Sequence, residues 1–74
     1  MEEYVYIERR KTAESVRCSW AIGGEDVAAH PPPFTTFQRM AGPFASLVDC
    51  DRWIETEGVR HSGGKRRNEG EWFC

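Results

Sequence analysis

At 74 residues, with 39% hydrophobic side chains, the chain fits one small domain and leaves no room for an enzyme scaffold built around a large pocket. Its formal charge of −2 is split: residues 1–58 carry six Lys/Arg against ten Asp/Glu, whereas residues 59–74 carry four against two, so an acidic body precedes a basic tail. No apolar run approaches the roughly 20 residues that span a bilayer, and Met1-Glu2-Glu3-Tyr4 is acidic where a secretory leader would be basic, so a soluble cytoplasmic protein is expected.

Tyr4 to Arg10 alternates with period two, placing Val5 and Ile7 on one face and Tyr4, Tyr6, Glu8 and Arg10 on the other. Ser15 to Ile22 alternates as well: Val16, Cys18, Trp20 and Ile22 share a face opposite Ser15, Arg17, Ser19 and Ala21. The short polar stretch Lys11-Thr12-Ala13-Glu14 between them predicts a hairpin. Gly23-Gly24 ends the second strand, and Pro31-Pro32-Pro33 enforces an extended connection. Phe34 to Met40 has the β propensity and length of a third strand, with a short helix from Thr35 as the competing assignment.

Ser46 is placed to cap a helix that Gly58 would end, with Asp49 in its first turn and Phe44 and Leu47 packing where it begins. Leu47, Cys50, Ile54 and, at the margin, Trp53 form its apolar stripe, while Asp51, Arg52 and Glu55 face outward. Beyond Gly58 the glycine-rich basic composition predicts a flexible tail, in which Glu71-Trp72-Phe73-Cys74 either docks as a short strand or stays a free aromatic terminus. The expected fold is thus α+β: a three-stranded antiparallel meander in 1–58 with one helix packed on one face, then a flexible basic tail in 59–74.

Three cysteines without a close pair argue against a disulfide scaffold, so Cys18 and Cys50 read as small buried hydrophobes and Cys74 as an exposed thiol. Zinc would draw on Cys18, His30, Cys50, His61 and Cys74, but the nearest two are 11 residues apart, against the tight ligand pairs of structural sites; no metal or other cofactor is expected. Ser62 beside His61 is a loop dipeptide without a pocket, and Gly63-Gly64-Lys65 lacks the serine or threonine and the following helix of a phosphate loop.

What remains is binding without catalysis. Tyr4, Tyr6, Arg10 and Arg17 fall on the open sheet face, and Lys65, Arg66, Arg67 and Trp72 on the tail, a Tyr/Trp/Arg mixture that favours contact with a larger protein or nucleoprotein complex. Small single-domain chains of this kind include phage and bacterial accessory factors, such as anti-CRISPR and other anti-defence inhibitors, so inhibition by steric occlusion is the expected function. Nucleic-acid binding through the same aromatic and basic groups is the alternative, and pairing of third-strand edges would give a homodimer.

Overall fold

The computed structural model describes residues 2–74. Strands β1 (Glu3–Lys11) and β2 (Val16–Gly23) form the expected antiparallel hairpin, with Val5 opposite Ile22, Ile7 opposite Trp20 and Lys11 opposite Val16. Thr12 sets the turn: its backbone N–H donates to the Ser15 carbonyl at 2.8 Å, while its hydroxyl accepts from the Ser15 N–H at 3.1 Å. Strand β3 (Thr35–Phe44) resolves the strand-or-helix ambiguity in favour of the strand.

The sheet has four strands, not three, in the order β3-β1-β2-β4, so the expected meander is corrected on two counts. First, β3 pairs with β1 rather than β2, and β1 becomes a central strand. Both β2 and β3 run antiparallel to β1, so the connection from Gly24 to Phe34 must cross β1, about two strand spacings or ~10 Å, and also return along the sheet from the level of Tyr4 to that of Arg10, roughly 20 Å. Pro31 and Pro32 precede a turn through Pro33 and Phe34, closed by the Thr35 N–H donating to the Pro32 carbonyl at 3.2 Å, which leads the chain into β3. Second, Trp72–Phe73 forms β4 and pairs antiparallel with β2, Arg17 opposite Phe73 and Cys18 opposite Trp72.

Helix α1 (Leu47–Thr56) lies across one sheet face, with the Ser46 hydroxyl accepting from the Asp49 N–H at 3.3 Å as its cap. The core joins Val5 and Trp20 of the sheet to Cys50 and Ile54 of the helix, and Ile7, Ile22, Met40, Phe44 and Trp53 pack around them. Leu47, assigned to the buried stripe from sequence, is exposed together with Val48, because the inward stripe runs through Cys50, Trp53 and Ile54. Gly58 follows the helix so closely that a Cβ there would lie 2.9 Å from the Trp20 ring and 3.2 Å from that of Trp53.

The segment 59–74, expected as a flexible tail outside the domain, runs back along the body and contributes a strand to its sheet. The Trp20 indole N–H donates to the Lys65 carbonyl at 3.2 Å, and Arg66 and Arg67 lie 3.5 Å from Glu55 and 3.6 Å from Asp51. The basic tail thus meets the acidic outer side of the helix, a match of opposite charges separated in the sequence. Cys18 and Cys74 form a disulfide, which corrects their reading as a buried hydrophobe and a free thiol; the strand pairing brings their Cα atoms to 5.8 Å. Cys50 alone is a free cysteine. Its complete burial pushes the thiol pKa up, and the nearby carboxylates of Glu3, Asp51 and Asp49 add to that shift while Arg67 opposes it.

Candidate functional site

The contact face nominated from sequence is largely spent inside the molecule. Tyr4 and Tyr6 are 6% and 1% exposed rather than open to a partner. The crossing connection folds over them: the Tyr6 hydroxyl donates to the Gly24 carbonyl at 2.6 Å, the Tyr4 hydroxyl reaches Glu25 at 3.5 Å, and the Arg39 guanidinium lies 4.1 Å from the Tyr4 ring centre. Burial pushes the Tyr4 pKa up; Glu25 and Glu2 add to the shift, and Arg39 opposes it.

The nominated cations are paired. Arg10 holds Glu8 at 2.7 Å, and Glu71 stands between Arg10 and Arg17 at 3.7 and 3.8 Å, offsetting the repulsion of two arginines directly opposite each other on β1 and β2. Arg66 and Arg67 are occupied by the helix carboxylates, and Lys65 is exposed without an ion-pair partner among the described residues. Trp72 is half-buried, its ring 5.6 Å from that of Trp20. These eight residues do not form one surface. The two tyrosines sit under the crossing connection, the two arginines lie near the hairpin turn, and the tail residues pack on β2 and α1.

A different surface is open. Helix α1 covers only the part of its sheet face that contains Val5, Trp20 and Ile22, so the hairpin half of that face has no second layer. Period two continues there from Val5 and Ile7 to Arg9 and Lys11, which are both exposed. Across the sheet Arg9 stands opposite Cys18 on one side and Thr36 on the other, and Lys11 opposite Val16. Two contiguous hollows of about 260 and 500 Å³ lie over this floor, sharing Arg9, Thr36 and Cys74. Trp72, His61 and the disulfide stand along the first; Phe34 and Val16 flank the second.

Two properties set this trough apart. Its lining contains Arg9 and Lys11, which make no ion pair among the described residues, and no Asp or Glu side chain, in a chain whose other arginines, except Arg39 over the tyrosines, are all ion-paired among those residues. The second is Phe34. It has φ of 59°, the left-handed region that costs a residue with a side chain about 1–2 kcal/mol, yet its ring is 79% exposed and recovers little of that by burial.

Sequence reasoning takes Arg9 and Lys11 only as parts of a basic Arg9-Arg10-Lys11 cluster at the hairpin tip and passes over Phe34. The first two carried a signal: they occupy the apolar parity of β1, where a cation implies that the second layer stops short. Phe34 carried a local one in Pro33, since proline suits the second position of a turn whose third residue takes a left-handed backbone, and the Thr35 N–H closes that turn on the Pro32 carbonyl at 3.2 Å. No three His, Cys, Asp or Glu side chains converge on a metal-binding position among the described residues. Among the described residues no helix is long and apolar enough to cross a membrane. Comparison with protein-family models, with characterised proteins and with solved structures finds no match to this chain.

Proposed function

We propose that this protein is a non-catalytic binding module that engages a larger protein through the hairpin half of its helix-side sheet face. The observation that carries the reading is Phe34, an exposed aromatic ring on a left-handed backbone at the mouth of an uncovered trough. The Pro32–Thr35 turn sets this backbone but gives no reason for a large ring there, and a bulky apolar side chain held in solvent on such a backbone suits a role outside the fold. A rigid body that fits a partner's surface through such a ring acts by occupying that surface, so occlusion of the partner is the mode of action we attach to it.

Nucleic-acid binding draws less support from this geometry. The tyrosines that would stack on bases are buried, and four of the five nominated cations are paired with carboxylates. The Cys18–Cys74 disulfide favours an oxidising compartment over the cytoplasmic location read from composition.

The test is site-specific photo-crosslinking in lysate of the cells that encode the chain. A photoreactive residue replaces Thr36 on the trough floor or, as control, Thr56 on the exposed side of the helix. A discrete protein adduct from position 36, absent from position 56 and lost when Phe34→Asn is added, is expected. Equal adducts from both positions, or none from position 36, would remove the trough as the contact surface.

A further inference from the structure

The trough has a chemistry more specific than exposure. Arg9 and Lys11 are alternate residues of a central strand, so their side chains leave the same face about 7 Å apart. An extended peptide repeats its own side chains at the same interval on each face. Carboxylates at alternate positions of such a peptide would meet the two cations in register. Apolar side chains next to them would find Val16 on one flank and Phe34 on the other, the pair that faces each other across Lys11.

We propose that this trough is a recognition site for an extended acidic peptide segment in which carboxylates alternate with apolar side chains. The inference rests on the binding reading above and names the partner's chemistry. Charge complementarity carries it: the trough offers Arg9 and Lys11 with no ion-pair partner among the described residues and no Asp or Glu in its lining, while the other arginines, Arg39 over the tyrosines excepted, are paired internally. A nucleic-acid strand also spaces its charges near this interval. However, two free cations on a chain of net charge −2 neutralise few phosphates, and the aliphatic and single aromatic flanks suit a side chain better than a row of bases.

The experiment measures fluorescence anisotropy of labelled probes with the full oxidised chain. The probes are a short peptide alternating Glu with Leu, the same peptide with Lys replacing Glu, and a single-stranded oligonucleotide of matching length. Saturable binding of the acidic peptide alone is expected. It should weaken about tenfold in the double variant Arg9→Glu/Lys11→Glu and should weaken with added salt. Circular dichroism and the melting temperature establish that the variant folds; if it does not, Arg9→Gln/Lys11→Gln replaces it, with a smaller loss expected.

Acidic and basic peptides binding alike, an acidic peptide that fails to bind, a folded variant that binds normally, or an oligonucleotide that displaces the peptide would each overturn the inference. The crosslink from position 36 separates the two levels. If it persists while the acidic peptide fails, the face binds a partner of other chemistry. If it is absent, the binding reading itself falls.

Discussion

Phe34 is the side chain at which the proposed binding can be tested apart from folding. Asparagine tolerates the left-handed region better than phenylalanine does, and the lost ring is mostly solvent-exposed, so Phe34→Asn should leave the melting temperature unchanged or slightly raised while abolishing the trough crosslink. Tyr6 behaves in the opposite way. Its hydroxyl satisfies the Gly24 carbonyl under the crossing connection, and Tyr6→Phe should cost about 1–2 kcal/mol in a urea titration without touching the trough. Tyr4 gives the fold an alkaline limit. Its pKa is raised in the folded chain, so around pH 10 the unfolded state loses this proton while the folded state retains it. Stability should fall as the pH rises through that range and the folded pKa, and Tyr4→Phe should flatten the decline.

The C-terminal strand is the element whose place depends most on a covalent link. Two residues of pairing and exposed ion pairs at Glu71 are weak by themselves, each such pair being worth about 0–1 kcal/mol. The disulfide closes a loop across a sequence separation of 56, for which the loop-entropy relation gives about 4 kcal/mol. Cys74→Ser should therefore lower the urea midpoint substantially and free β4 to exchange its amide hydrogens quickly. Thiol titration checks the bonding directly. The native oxidised chain should show no reactive thiol, denaturation without reductant should release only Cys50, and reduction should add Cys18 and Cys74. Helix α1 owes its place to packing and little to the sequence of its first turn, so Ile54→Ala should cost about 2–5 kcal/mol, against about 1 for Ser46→Ala.

As a whole the molecule is a two-layer fold whose second layer is shorter than its first. One ten-residue helix cannot cover both ends of a sheet whose central strand alone has nine residues, since a residue rises about 1.5 Å in a helix and about 3.3 Å in a strand. The remainder is left to exposed side chains, Arg9 and Lys11 among them. Because the ion pairs all involve exposed groups, high salt should shift the melting temperature little while weakening capture of an acidic ligand. A salt-sensitive fold with salt-insensitive binding would reverse this division between structural and functional charge.

The hairpin, the facing of its side chains, the helix and its serine cap were legible in the sequence, because each depends on residues within a few positions of one another. Strand order, the closure of β4 on β2 and the Cys18–Cys74 bond were not, since they join segments whose separation leaves no periodic or local trace. The candidate site divides the same way. Parity in β1 already placed Arg9 and Lys11 with Val5 and Ile7, but parity says nothing about where a covering helix stops. Only tertiary packing buries Tyr4 and Tyr6, pairs the tail arginines with the helix carboxylates and leaves Arg9 and Lys11 uncovered. Local pattern thus determines which face a side chain joins, and the lengths and routes of the elements decide which faces stay in water.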